Sequence, residues 1–313
     1  MKIAVLIPCY NEELTIYKVV TDFKKELPEA DIFVYDNNSK DKTSDLALKA
    51  GAIVRKEPAQ GKGNVCRSMF RDIDADVYVM VDGDDTYPAD EVHKLISAVT
   101  EDGADMVIGD RLSNGTYASE NKRGFHNLGN NLVKMLINKI FHNNIQDIMT
   151  GYRAFSKKFI KTNAIMSPGF QIETELTITT LVYRYKVKEI PITYRDRPAG
   201  SKSKLNTFSD GFKVLLTLFD LYKDYRPLFF FGFLSLIFLI IGLVVGIPVI
   251  SEFIKTAFIK KVPSAILASA LVVVSVLFAM LGLILDHNAN IDKRNHEIMV
   301  NNWVYYENNK GIK

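Results

Sequence analysis

The stretch YVMVDGDDTYP (residues 78–88) joins residues typical of a buried strand to a cluster of carboxylates. Asp82, Asp84 and Asp85 lie within four residues and repel one another unless a positive charge sits between them. Hard divalent cations such as Mg²⁺ and Mn²⁺ prefer carboxylate oxygens and commonly bridge protein to phosphate. The pattern therefore predicts a metal site at the carboxyl end of a strand, with a solvated acidic turn as the alternative.

The residues around this cluster predict the elements that position it. Between residues 1 and about 110, short apolar runs alternate with helix-like stretches, which predicts parallel strands joined by right-handed crossovers. Ligands bind beyond the carboxyl ends of such strands. The common fingerprints GxGxxG and GxxxxGK[ST] are absent, and GKG at residues 61–63 does not follow the first strand. We expect strands at residues 2–7, 32–35, 52–54, 77–81 and 106–108, and helices near 14–26, 43–50, 64–73 and 91–100.

The composition of the 313-residue chain argues against several classes of protein. A net charge of +3 gives no reason to expect nucleic-acid binding. The two cysteines, Cys9 and Cys66, lack CxxC spacing, which argues against a disulfide framework or a zinc site and fits a reducing compartment. The length suits one α/β domain with additional segments.

Two long uncharged stretches in the C-terminal third predict a membrane hairpin. Each can cross about 30 Å of hydrocarbon, and soluble core helices seldom run so long without a polar face. Apolar residues at helical spacing just before them predict an amphipathic helix at the bilayer surface. Because the apolar run at residues 3–7 is too short for a signal peptide, we expect a multi-pass cell-membrane protein with a cytoplasmic N-terminal domain. The expected segments are the domain (1–205), the amphipathic helix (206–227), the spans (228–250 and 264–285) and a cytoplasmic tail (286–313).

Polar residues also follow the other predicted strands. Asp36, Asn37 and Asn38, in DNNSKDKT, either read the hydrogen-bonding edge of a base or ribose or serve turn and N-cap chemistry. Arg111, in GDRL, either binds a phosphate or sugar or pairs with a carboxylate. Both readings stay open for each group.

The motifs PCYNE, DNNSKDKT, QGKG, VDGDDTYP, GDRL and DIMTGYRAF, in this order, resemble the family 2 inverting glycosyltransferases. The resemblance covers residues 1 to about 212 and is closest to the polyprenyl-phosphate branch. It implies a Rossmann-like nucleotide-sugar domain of GT-A type, a UDP- or GDP-sugar donor and a polyprenyl phosphate acceptor, with undecaprenyl phosphate expected. The hairpin is similar to the two-span architecture of bacterial members, so the lipid bilayer is an expected partner, and a homo-oligomer is left open.

The resemblance also implies site residues. Asp82 and Asp84 match the DxD pair that holds Mg²⁺ or Mn²⁺ on the donor diphosphate, and Thr86 stands where a further ligand is expected. The family usually has Asp at the position of Asn37. The donor is expected to be lined by Pro8, Tyr10, Glu12, Asp36, Asn37, Asp82, Gly83 and Arg111.

Four cations crowd into RDRPAGSKSKL before the amphipathic segment: Arg195, Arg197, Lys202 and Lys204. They form either a phosphate clamp for a lipid-phosphate acceptor or a patch attracted to anionic lipid. The resemblance favours Arg197 and Lys204 as the phosphate contacts, and the spacing leaves Arg195 and Lys202 as competitors.

The expected reaction needs little general-base catalysis. A phosphate monoester has a second pKa of about 6, so the attacking lipid phosphate is largely dianionic near neutral pH. Asp147, in DIMTGYR, matches the family position often assigned as base; we expect it to orient the acceptor or to hold Arg153. Asp84, Arg111 and Asp147 form the expected catalytic set.

Two other functions remain open. A polysaccharide synthase of the same family typically carries a QxxRW-type motif, whereas the single tryptophan here, Trp303, lies in NNWVYY. A non-catalytic, membrane-anchored binding protein would have no need for an intact set of Asp82, Asp84 and Arg111.

Overall fold

The computed structural model describes residues 1–113, 115, 134–141, 143–198, 200, 216, 219–220 and 222–309. The backbone falls into two units, Met1–Thr217 with Glu297–Lys313, and Leu218–His296. Lys202, Lys204 and most of the predicted amphipathic helix (206–227) lie outside the described residues. The described residues within 216–225 are helical.

A mixed β-sheet forms the centre of the first unit. Its described strands lie in the order β3-β2-β1-β4-β6-β5-β7. The inner strands are buried along most of their length, as expected for a sheet that is covered on both faces. The strands are β1 (Ile3–Cys9), β2 (Asp31–Asp36), β3 (Ile53–Lys56), β4 (Val77–Met80), β5 (Met106–Asp110), β6 (Arg153–Ser156) and β7 (Val187–Pro191).

Helices between the strands cover the sheet. In the first of them Ile16, Val19, Val20 and Phe23 are buried, and this spacing places one apolar stripe against the core. The helices are α1 (Ile16–Glu26), α2 (Thr43–Lys49), α3 (Lys62–Asp72), α4 (Val92–Thr100), α5 (Lys157–Thr162) and α6 (Ile172–Val182). A 3₁₀ turn (Ala89–Glu91) precedes α4, and residues 134–141 are also helical.

The predicted α/β alternation is confirmed, and the five predicted strands all run in the same direction, as expected. Strands β1 to β4 pair in parallel, as do β5 and β7. The unpredicted strand β6 runs antiparallel between β4 and β5. Its residue Arg153 lies opposite Met80 on one side and Ile108 on the other, so β6 places the DIMTGYR segment beside the carboxyl end of β4.

Two long apolar helices make up most of the second unit. Helix α7 (Pro227–Thr256) has 30 residues, about 45 Å, and α8 (Val262–Asn309) has 48 residues. Both are long and apolar enough to cross a membrane, and their apolar side chains are mostly exposed, unlike those of a soluble core helix. Within the unit, Ser275 Oγ donates to the Ser235 carbonyl at 2.9 Å, a contact typical of membrane helices.

The segment predicted as the C-terminal tail (286–313) is helical as far as residue 309. Helix α8 continues without a break beyond residue 285 and ends at Asn309. Its last residues belong to the first unit, where Glu307 pairs with Lys157 at 3.3 Å.

Candidate active site

The carboxyl ends of β1, β2 and β4 meet at one edge of the sheet. Cys9 is paired with Asp36, and Leu6 with Met80, so the loops that follow these strands are neighbours. Parallel pairing therefore places PCYNE, DNNSKDKT and VDGDD side by side, as the alternation predicted.

Each carboxylate of the Asp82–Asp84 pair has a cation of the chain against it. Lys62 Nζ lies 2.5 Å from Asp82 Oδ1 and 2.5 Å from Glu173 Oε1. Arg197 forms an ion pair with Asp84 Oδ2. Like-charge repulsion at this edge is thus balanced within the protein by groups that are far apart in the sequence.

Burial and charge act in opposite directions on these groups. Burial opposes the charge of Lys62, but Asp82 and Glu173 outweigh it and raise the pKa of Lys62 well above its ordinary value. For Asp84, burial and the charge of Asp82 raise the pKa, while Arg197 and Thr86 oppose the rise.

Thr86 has a defined position in the cluster. Its hydroxyl donates to Asp84 Oδ1 at 2.6 Å, and its backbone N–H donates to the same oxygen at 3.3 Å. Thr86 therefore fixes the orientation of the Asp84 carboxylate. The predicted role of Thr86 as a metal ligand stays a prediction.

The GKG turn positions Lys62 by packing against a second loop. A Cβ atom on Gly63 would overlap the carbonyl oxygen of Ser167, and one on Gly61 would overlap that of Pro168. Gly61 also has a φ of +130°, which favours glycine. The second loop is held in turn by Glu175, which accepts the backbone N–H groups of Met166 and Ser167 at 2.8 Å each.

Asp82 rests on the DIMTGYR segment. A Cβ atom on Gly151 would overlap the Asp82 carboxylate, so glycine is needed there for this approach. The Gly151 N–H donates to the hydroxyl of Tyr87 at 3.1 Å. Burial raises the pKa of Tyr87, so its hydroxyl remains protonated.

Asp147 is paired with Arg111 and not with Arg153, whose pairing with Asp147 was one of the two roles expected for this residue. Arg111 Nε donates to Asp147 Oδ2 at 2.7 Å, Nη2 donates to Oδ1 at 3.0 Å, and the backbone N–H donates to Oδ2 at 3.1 Å. Arg153 instead donates to the carbonyls of Ile148 and Thr150. Both oxygens of Asp147 are therefore engaged by one buried guanidinium.

Glu189 anchors the backbone of this pair. Its carboxylate accepts the N–H of Gln146 at 2.8 Å and that of Asp147 at 3.0 Å. Burial raises the pKa of Glu189, and these two hydrogen bonds oppose the rise. Strand β7 thereby fixes where Asp147 lies and, through it, where Arg111 lies.

The predicted donor residues lie around the same edge, with some of their polar atoms already bonded. Asp36 accepts from the Ser39 N–H at 2.9 Å and from the Ser44 hydroxyl at 2.7 Å. The Asn37 amide donates to the carbonyls of Glu57 and Ala59 and accepts from the Gly61 N–H at 2.7 Å. Asn37 therefore ties the GKG turn to β2, which is turn chemistry. Pro8 lies within β1 and Tyr10 and Glu12 follow it, and a donor contact for any of them stays a prediction.

Of the four cations predicted to contact the acceptor phosphate, the structure describes two, Arg195 and Arg197. The Arg195 N–H donates to the Thr86 carbonyl at 3.0 Å, so the segment after β7 runs beside the loop that carries Asp82 and Asp84. Arg197 reaches the Asp84 carboxylate, a contact that the sequence did not predict.

Sequence reasoning missed Lys62, Glu173, Tyr87 and Glu189. The sequence did contain a signal for Lys62, because a lysine between two glycines is typical of a turn and this turn lies at the carboxyl edge of the sheet. Glu173 and Glu189 had none, since nothing local relates a helix or strand glutamate to a distant loop.

The chemistry of the donor set fits a hard cation. Among the described residues, no group of three or more His, Cys, Asp or Glu side chains could hold a metal ion by itself. Mg²⁺, however, is usually bound by one or two carboxylates together with substrate phosphate and water. The positive charges of Lys62 and Arg197 lie against Asp82 and Asp84, at the place where such a cation would bind.

Comparisons with known proteins agree with this fold. Glycosyl transferase family 2 matches residues 4–163. The chain is 33% identical over 285 residues to Glycosyltransferase AglJ of Haloferax volcanii, covering 91% of this chain and 92% of that protein. It is 30% identical over 209 residues to the Dolichyl-phosphate hexose transferase of the same organism, covering 67% of this chain and 89% of the relative.

A solved structure shows the same fold. Glucosyl-3-phosphoglycerate synthase from Mycobacterium tuberculosis, in complex with Mn²⁺, UDP-glucose and phosphoglyceric acid, has a TM-score of 0.57 at 20% identity. The match covers 70% of this chain and 79% of that one. The sheet is that of a GT-A-like glycosyltransferase domain. The chain belongs to Glycosyl transferase family 2, and the predicted family resemblance is confirmed.

Proposed function

We propose that this protein transfers one sugar, with inversion, from a UDP- or GDP-sugar to a polyprenyl phosphate at the cytoplasmic face of the cell membrane. The observation that carries the proposal is the contact of Arg197 with Asp84. It brings the basic segment that precedes the apolar helices to the carboxylates that suit a donor metal. A phosphate acceptor on a lipid fits both features, and a relative named as a dolichyl-phosphate hexose transferase supports it.

The donor end of the proposal rests on the carboxylate pair. Asp82 and Asp84 would hold Mg²⁺ or Mn²⁺, with Thr86 orienting Asp84. A metal held there would stabilise the negative charge of the departing nucleoside diphosphate. Because Lys62 is also paired with Glu173, its positive charge would stay at this edge if Asp82 bound the metal.

The acceptor end needs a cation more than a base. The lipid phosphate is already dianionic near neutral pH, and its oxygen can attack the anomeric carbon directly. Arg197 would bind this phosphate through a charge-assisted, two-pronged contact. The candidate membrane helices keep the enzyme at the surface where the acceptor's hydrocarbon chain is dissolved.

Asp147 has a positioning role in this proposal. Asp147 accepts hydrogen bonds from Arg111 at both of its oxygens. It holds the Arg111 guanidinium beside the Asp82–Asp84 loop, where a fixed positive charge can meet a donor phosphate.

A transfer assay with the full-length protein tests the proposal. The protein in detergent is given Mg²⁺ or Mn²⁺, radiolabelled UDP- and GDP-sugars, and either undecaprenyl phosphate or dolichyl phosphate. The expected result is label in the lipid phase with one class of donor, in the presence of metal and a phosphorylated lipid only.

Matched controls make the assay specific. Undecaprenol, which lacks the phosphate, should accept no sugar. Asp84→Ala should abolish transfer, while Glu29→Ala, which removes an exposed carboxylate outside the site, should not. Polymer of increasing length would instead indicate a polysaccharide synthase. Absence of any transfer, with nucleotide still bound, would indicate a non-catalytic binding protein.

A further inference from the structure

Asp84 offers its two oxygens to two different partners. Oδ1 accepts from the hydroxyl and the backbone N–H of Thr86. Oδ2 is paired with the Arg197 guanidinium. The Asp84 side chain is only 5% exposed.

A divalent cation and a guanidinium cannot share this position. Both need the Oδ2 lone pairs, and two positive charges at contact distance repel each other. The pair at Asp82 is built differently, because Lys62 has Glu173 as a second carboxylate partner at 2.5 Å. Lys62 can therefore part from Asp82 and keep a counter-ion, whereas metal binding at Asp84 requires Arg197 to move.

Arg197 is well placed to move. Its side chain is 25% exposed, against 5% for that of Asp84, so it has access to solvent on one side. Two residues earlier, the Arg195 N–H holds the backbone to the Thr86 carbonyl at 3.0 Å. The guanidinium can thus move away from Asp84 while the segment that carries it stays bound to the loop that carries Asp82 and Asp84.

We propose that Arg197 is an exchangeable counter-ion that makes donor binding a condition for acceptor binding. In the ligand-free protein Arg197 neutralises Asp84. The metal that arrives with the donor displaces it, and the released guanidinium then binds the acceptor phosphate. The proposal rests on the proposed function for the identity of that phosphate. The exchange itself concerns only the chain and the metal.

The exchange implies reciprocal coupling. If metal frees Arg197 for phosphate, phosphate must strengthen metal binding by the same factor. A second consequence follows for the metal alone. Removing Arg197 removes a competitor, so the metal affinity of the resting protein must rise.

Mn²⁺ binding to the full-length protein in detergent, followed by electron paramagnetic resonance without donor or acceptor, tests the proposal. Arg197→Gln is expected to bind Mn²⁺ roughly ten- to a hundredfold more tightly than the wild type, the equivalent of one lost charge-assisted hydrogen bond. Arg195→Gln is the matched control, since it removes an equal charge two residues away and should leave Mn²⁺ affinity within about twofold. Unchanged or weaker Mn²⁺ binding by Arg197→Gln would overturn the proposal.

A second measurement uses the unaltered protein and does not depend on how the variant folds. Phenylglyoxal modification of Arg197, mapped by mass spectrometry, should quicken several-fold when Mn²⁺ is added. Inorganic phosphate should then slow it. A rate that Mn²⁺ leaves unchanged or lowers would contradict the exchange. Because neither measurement uses sugar or lipid, either can succeed even if polyprenyl phosphate proves to be the wrong acceptor.

Discussion

Replacing Asp147 by asparagine separates a positioning role from a general-base role. The carboxylate receives three hydrogen bonds from Arg111, at 2.7, 3.0 and 3.1 Å, and its side chain is 1% exposed. Asparagine keeps one acceptor oxygen, but it turns an amide toward the guanidinium and leaves that buried charge uncompensated. Breaking one side of a buried ion pair costs about 3–5 kcal/mol, and we expect about 3 kcal/mol because one acceptor remains.

The consequences for catalysis follow from the same geometry. Arg111 loses its fixed direction, so we expect donor KM to rise roughly ten- to a hundredfold, the worth of one charge-assisted hydrogen bond. The pH profile of kcat should keep its shape, because no proton is transferred to Asp147. Glu189→Gln should show a smaller rise in donor KM, since the amide oxygen of glutamine can still accept one of the two backbone N–H groups that Glu189 accepts from residues 146 and 147.

The assay combines thermal unfolding of the full-length protein in detergent with steady-state kinetics between pH 5.5 and 8.5. Asp45→Asn, an exposed carboxylate on α2, is the matched control and should change stability by less than about 0.5 kcal/mol. A variant that keeps wild-type stability and donor KM but loses kcat, together with the acidic limb of its pH profile, would refute the positioning role. That result would restore Asp147 as the base.

Three further outcomes are expected. Gly63→Ala should lower the unfolding midpoint and transfer together, because its Cβ overlaps the Ser167 carbonyl; a wild-type midpoint would mean that the loop contact gives way freely. Glu173→Gln should weaken nucleotide-diphosphate binding, measured by calorimetry, at least tenfold, since Lys62 would then depend on Asp82 alone; unchanged binding would separate Lys62 from the donor. Truncation after residue 211 should leave nucleotide-sugar binding intact and reduce transfer to membrane-embedded acceptor. Equal transfer by the truncated and full-length proteins would mean that the hairpin serves only to localise the protein to the membrane.

The sequence was sufficient for the elements whose signal is local. Strands β1, β2 and β4 are apolar runs that end in polar residues, so both their existence and their common carboxyl edge could be predicted. Strand β6 could not, because it has four residues and begins with the charged Arg153. Its place is decided by pairing with Met80 and Ile108, and tertiary pairing of this kind leaves no periodic pattern in so short a segment.

The same distinction between local signals and long-range contacts applies to the residues of the site. The Asp82–Asp84 cluster and Arg111 could be found because carboxylates and a cation at strand ends are unusual on their own. Their partners could not, since Glu173 and Arg197 reach the cluster from later parts of the chain. The mistaken pairing of Asp147 with Arg153 has the same cause, because nearness in sequence was taken as nearness in space.

The identity of the products tests whether the protein transfers one sugar, with inversion, to a polyprenyl phosphate. The purified full-length protein is incubated with the preferred nucleotide sugar, Mg²⁺ and undecaprenyl phosphate, and both the lipid and the nucleotide are analysed by mass spectrometry and NMR. We expect a lipid phosphate that has gained one sugar with inverted anomeric configuration, and one nucleoside diphosphate released for each lipid formed. Release of a nucleoside monophosphate with transfer of a sugar phosphate, or a sugar product without the lipid phosphate, would contradict it.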